Sequence, residues 1–118
     1  MQNILIVDDN ESNLRLISIY CEELGINYET RTSGKAALDA IKHKNFEVVL
    51  LDIEMPEMNG AETAFHMRAW QLQTGQLFKI LAMSAHDREW LKKFNIEKYF
   101  DGLLEKPYTS EKLNKLIG

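Results

Sequence analysis

The chain has 118 residues, 45% of them hydrophobic, and 14 lysines and arginines against 18 aspartates and glutamates give a net charge of −4. That length supports one buried core and not two, so residues 1–118 are expected to form a single domain. Mild acidity without a Lys/Arg block argues against direct nucleic-acid binding, and no apolar run approaches the ~20 residues that cross a bilayer or follows a basic leader.

In chain order, Ile4-Leu5-Ile6-Val7 is a short β-branched run between polar residues, the pattern of a strand buried on both faces. Leu14, Ile17, Cys21 and Leu24 then recur at helical spacing, with Asp9, Asn10 and Ser12 as cap candidates and Gly25 as a stop. Cys21 is the single cysteine, so it has no internal disulfide partner. It is expected to be buried filler in a reducing, cytoplasmic setting. Asn27 to Thr32 alternates like a strand, and Ser33-Gly34 opens a helix presenting Ala37, Ala40 and Ile41.

Val48-Val49-Leu50-Leu51 repeats the first strand's pattern. After an irregular loop, Asn59-Gly60 precedes a helix holding Ala64, Phe65 and Met67 up to about Gln71, with Gln73 to Gln76 as connecting loop. Phe78 to Met83 reads as the fourth strand, and Asp87 to Phe94 as a helix carrying Trp90, Leu91 and Phe94. Leu103-Leu104 marks a fifth strand that Lys106-Pro107 ends; Thr109 or Ser110 caps a last helix with Leu113, Leu116 and Ile117 inside. Five βα units in strict alternation imply a parallel sheet with helices on both faces, a three-layer α/β sandwich.

In such sheets the ligand crevice lies beyond the C-terminal ends of the strands. Asp8-Asp9 follow the first strand, Asp52 the third, Ser84 the fourth and Lys106 the fifth. Three crowded carboxylates repel, by about 3 kcal/mol per pair at ~5 Å and an effective dielectric near 20, so a cation is expected between them. Mg²⁺ fits: it takes oxygen ligands and typically combines one or two carboxylates with a phosphate oxygen. His43, His66 and His86 show no metal-ligand spacing. With a divalent ion held by Asp8, Asp9 and a further oxygen, Asp52 can attack phosphorus, Lys106 can neutralise phosphoryl oxygens and Ser84 can donate to another. Taken singly, each residue has a plainer reading: acids at a helix N-terminus, a loop acid, a helix cap, a solvated lysine. The coincidence at four strand ends selects the chemical one.

Asp8-Asp9, Asp52 followed by Met55-Pro56 and Gly60, Ser84-Ala85 and Lys106-Pro107, in this order, resemble the receiver domain of two-component response regulators over essentially the whole chain. The resemblance implies a flavodoxin-like fold of sheet order 2-1-3-4-5, in which Asp52 takes a phosphoryl group from the histidine of a kinase or phosphotransfer domain. It also implies Mg²⁺ binding by Asp9, Asp52 and the backbone carbonyl of Glu54, with Asp8 acting largely through water. Ser84 becomes the switch hydroxyl, Lys106 the partner of the phosphoryl group, and the Lys106–Pro107 peptide cis. Such a domain is a signalling switch that catalyses only its own phosphorylation and dephosphorylation. Its output runs through the face built from the fourth helix, fifth strand and fifth helix, where Trp90 or Tyr108 is expected to be exposed.

The stretches Asp8-Asp9-Asn10-Glu11-Ser12-Asn13 and Met55-Pro56-Glu57-Met58-Asn59-Gly60 are similar to receivers attached to hybrid sensor kinases and phosphorelays. Glu54 and His86 occupy positions that border the route of the attacking water in this family. The chain departs from the family at Leu103, where receivers usually carry Tyr or Phe, so output through loop and helix shifts is expected instead. Leu103 keeps open a receiver-shaped scaffold that binds its partner without phosphorylation. A haloacid-dehalogenase-type phosphatase shares the chemistry but carries its nucleophile in an Asp-x-Asp stretch after the first strand, unlike Asp8-Asp9. The short last helix fits an excised domain as well as a free-standing regulator.

Overall fold

The structure is a computed structural model describing residues 3–55 and 58–117; Pro56 and Glu57 of the loop motif lie outside the described residues. Strands β1 (Asn3–Val7), β2 (Asn27–Arg31), β3 (Val48–Asp52), β4 (Lys79–Ser84) and β5 (Gly102–Glu105) alternate with helices α1 (Glu11–Glu23), α2 (Gly34–His43), α3 (Gly60–Thr74), α4 (Arg88–Lys93) and α5 (Ser110–Ile117). All pairings are parallel, in the order β2-β1-β3-β4-β5. The expected fold is therefore the observed one.

The helices begin where side-chain oxygens satisfy their first free N–H groups. Of the three cap candidates for α1, Asn10 serves, accepting from the Asn13 N–H; Ser33, Asn59 and Asp87 do the same for α2, α3 and α4. Thr109 Oγ1 accepts from the Lys112 N–H at the start of α5. Helix α1 gives way at Gly25, whose φ of +71° is left-handed.

Alternate residues of one strand feed opposite layers. Ile4, Ile6, Val48 and Leu50 join Leu14, Ile17, Cys21, Leu113 and Ile117, which seats α1 and α5 on one face. Leu5, Val7, Val49 and Leu51 join Ala37, Ile41, Ala64 and Met67, which seats α2 and α3 on the other. A smaller cluster of Ile53, Ala82 and Leu91, flanked by Trp90, Ile96, Phe100 and Leu103, holds α4. Cys21 is fully buried and unpaired, the filler it was expected to be.

Three expectations are corrected and one element is added. Helix α3 runs to Thr74, three residues past Gln71, because Gly75 at φ +77° supplies the left-handed cap that stops it. Phe65 and Phe94 are 52% and 54% exposed: apolar identity gave their helical spacing but not their face. The added element is a 3-10 turn over Glu97–Tyr99, which follows Asn95 at φ +58° and precedes β5. Finally, neither Trp90 nor Tyr108 is exposed. Tyr108 belongs to the α1/α5 core, and the partly buried Trp90 lies flat on His86 with ring centroids 4.0 Å apart.

Candidate functional site

The exits of β1, β3, β4 and β5 meet in a cleft of about 180 Å³ lined by Asp8, Asp9, Asn10, Asn13, Asp52, Glu54, Ser84, Ala85, Lys106 and Tyr108. Asp8, Asp9, Asp52, Glu54, Ser84 and Lys106, the metal and phosphoryl residues expected from the sequence, are all in this lining, and His86 is not. Parallel register explains why: β1 pairs Val7 with Leu51, and β3 pairs Asp52 with Met83, so the polar residues following each apolar run arrive at one rim.

Local bonds set each side chain. Asp8 is 1% exposed, its Oδ1 accepting from the Asn10 N–H at 2.9 Å and its Oδ2 from Asn13 Nδ2 at 3.1 Å. Asn10 thus caps α1 and steadies the acid before it. Asp52 Oδ1 accepts from the Glu54 N–H at 3.1 Å, which turns the chain sharply out of β3. Ser84, 3% exposed, accepts at Oγ from the His86 N–H at 2.8 Å, and its carbonyl accepts from the Lys106 N–H at 2.9 Å, tying β4 to β5 at the rim. The Lys106–Pro107 peptide is cis, as expected, and Lys106 Nζ stands 5.8 Å from the centre of the Tyr108 ring.

Gly60 closes the floor. A Cβ there would lie 2.3 Å from the Asp52 carbonyl oxygen and 2.5 Å from Ile53 Cα, both backbone atoms that cannot give way. Only glycine lets the N-terminus of α3 approach β3 this closely.

Oxygens of Asp8, Asp9 and Asp52 lie within 4.8 Å of one another. Among the described residues no lysine, arginine or histidine pairs with any of the three within 4.0 Å. Burial first, then the negative charge of Asp8 and Asp9, pushes the Asp52 carboxyl up to about 7. Burial also raises Asp8, against the pull of its bonds from Asn10 and Asn13. Hard oxygen donors, mutual repulsion and no protein cation between them make a set that fits Mg²⁺. The histidines stand outside the lining, and His43 Nδ1 is engaged 2.9 Å from the Asp39 carbonyl.

Two features escaped the sequence reading. Asn13 orients Asp8, a role visible only in that its spacing places it in the first turn of α1. His86 Nε2 meets Glu54 Oε1 at 2.8 Å, so the two residues expected to flank the water route bridge the β3 and β4 exits as a pair.

The family model described as "Response regulator receiver domain" matches residues 4–118. The sensor protein GacS of Pseudomonas syringae pv. syringae is 31% identical over 97% of this chain, and the autoinducer 1 sensor kinase/phosphatase LuxN of Vibrio campbellii is 33% identical over 98%. The chain spans only 13% of the length of each. Among solved structures, the response regulator TrrA of Thermotoga maritima, in complex with Mg²⁺-BeF, superposes with a TM-score of 0.86 at 26% identity, covering 99% of this chain and 96% of that one. No helix among the described residues is long and apolar enough to cross a membrane. With its family model matched from residue 4 to the end, its five parallel strands in the order 2-1-3-4-5 and its acidic rim, this chain belongs to the response regulator receiver domains of two-component and phosphorelay signalling.

Proposed function

We propose that Asp52 is the phosphoacceptor of this receiver, taking its phosphoryl group from the phosphohistidine of a kinase or phosphotransfer domain in the cytoplasm, and that residues 1–118 act as one such domain. The observation that carries this reading is the convergence of three carboxylates, a hydroxyl and an ammonium from four strand exits on one cleft. Asp52 Oδ2, the oxygen not engaged by the Glu54 N–H, attacks phosphorus. The O–P bond forms as the N–P bond breaks, and its electron pair leaves with the imidazole nitrogen.

Asp8, Asp9, Asp52 and the Glu54 carbonyl are the groups that would hold Mg²⁺, which when bound supplies positive charge against the phosphoryl oxygens. Lys106 adds a second positive charge from the opposite wall of the cleft, and Ser84 Oγ donates to a phosphoryl oxygen. Water later attacks phosphorus, releasing inorganic phosphate and restoring the Asp52 carboxylate. The phosphorylated state biases the α4-β5-α5 face toward a partner. Like the curated relatives in which matching segments form a small part of a sensor kinase, the domain fits a phosphorelay.

The test is Mg²⁺-dependent labelling by acetyl phosphate, expected in the wild type and lost in Asp52→Asn with the fold retained. A label that persists in that variant refutes the assignment. Because Glu54 and His86, paired at 2.8 Å, occupy the positions that border the water route in receivers, Glu54→Gln and His86→Ala are expected to change the decay rate of the label severalfold without preventing its formation. Unchanged decay in both would remove the pair from the mechanism. A second reading, partner binding without phosphorylation, is favoured by Leu103 alone, which packs beside Trp90, Ile96 and Phe100 with no ring to rotate. Equal partner affinity before and after labelling would support it.

A further inference from the structure

Tyr108 is 6% exposed, and its ring sits in the α1/α5 core, yet the residue also lines the acidic cleft. Its backbone carbonyl accepts from the Tyr20 hydroxyl at 3.0 Å, a strut from α1 that fixes where the ring stands. Lys106 Nζ lies over the same ring, 5.8 Å from its centre. Among the described residues the Tyr108 hydroxyl itself makes no hydrogen bond, and, unlike Glu97 Oε2, it is not sealed from solvent. Burial first, and then the negative charges of Asp52, Asp8 and Glu54, push the pKa of that hydroxyl up, so it stays a neutral donor. An O–H on a packed ring that lines the acidic cleft, open to solvent and without a protein acceptor, is placed to meet an anionic oxygen that arrives from outside.

We propose that Tyr108 is a positioning residue of the cleft, its hydroxyl donating a hydrogen bond to an oxygen of the phosphoryl group on Asp52. The inference rests on the reading of Asp52 as phosphoacceptor. It assigns the work between two neighbours. Lys106, exposed and flexible, supplies charge. Tyr108, clamped by the core and by Tyr20, supplies direction. Because a donor removed from a charged acceptor typically costs about tenfold or more in affinity, the effect falls within reach of a binding measurement.

The experiment titrates beryllofluoride, a phosphoryl mimic, into the metal-loaded protein by calorimetry, with Mg²⁺ titrated separately into the metal-free protein. Tyr108→Phe keeps the ring and its packing. It is expected to bind beryllofluoride about tenfold more weakly while its Mg²⁺ affinity stays at the wild-type value. Tyr20→Phe, which removes the strut and keeps the Tyr108 hydroxyl, is expected to show the smaller loss. Wild-type beryllofluoride affinity in Tyr108→Phe overturns the proposal. So does a parallel loss of Mg²⁺ affinity, or an equal loss in Tyr20→Phe, either of which makes Tyr108 a packing residue only. A wild-type protein that neither binds beryllofluoride nor takes label at Asp52 overturns the phosphoacceptor reading first and this proposal with it.

Discussion

Strands β1 and β3 are two materials joined end to end. Ile4 to Val7 and Val48 to Leu51 are buried apolar side chains, none more than 3% exposed, and removing them from water stabilises the fold. One residue further, Asp8 is as deeply buried at 1%, and Asp52 is partly so, and among the described residues neither has a lysine, arginine or histidine within 4.0 Å. The same loss of solvent now works against the fold, because it penalises charge. The contrast teaches that the apolar stretch of each strand holds in place an end that would not hold itself, and that the acidic end is relieved by what binds it.

The largest expected effect breaks the stabilising half. Leu50 is fully buried between β1 and β4 on the α1/α5 side, and Leu50→Ala is expected to lose about 3 kcal/mol in urea unfolding. A loss well under 1 kcal/mol would mean that the strand interior does not carry the rim.

The next sharpens the other half. Asp52 titrates near 7 in the folded chain against an ordinary value of 3.8, so it binds its proton more tightly folded than unfolded. Its favourable contribution is therefore full below about pH 4 and lost as pH rises through about 7. In metal-free protein at pH 8, Asp52→Asn is expected to be more stable than wild type by on the order of 2 kcal/mol, allowing for solvent screening. That gap should shrink as pH falls toward 4, and added Mg²⁺ should narrow it at pH 8 by stabilising the wild type. A gap that widens on acidification would reverse the sign of the comparison. The smallest effect concerns support: Asn13→Ala removes the 3.1 Å bond to Asp8 Oδ2 and should cost about 1 kcal/mol in thermal unfolding.

The sequence made the strands and helix starts legible because each is a local matter: a short apolar run, then an Asn, Ser, Asp or Thr beside the N–H it caps. Asp8, Asp9, Asp52, Ser84 and Lys106 were legible for a related reason, since a polar residue directly after a buried strand must emerge at its end. What escaped depends on distant parts of the chain. The end of α3 lay hidden among polar residues until Gly75, and Phe94 could not be assigned a face from spacing alone. The burial of Tyr108 follows from packing against α1, with its strut to Tyr20 crossing 88 positions of sequence. The Glu54–His86 bridge likewise joins two loops that no periodicity relates.

The alternation of β1 and β3 between two oily layers has an arithmetic consequence. Deleting one residue inside either strand would exchange odd for even, sending side chains fitted to α1 and α5 toward α2 and α3, and would at the same stroke draw Asp8 or Asp52 back from the rim. Length changes in this chain are therefore confined to the connections, and the spacing from buried strand to acidic end is as fixed as the identity of the acids themselves.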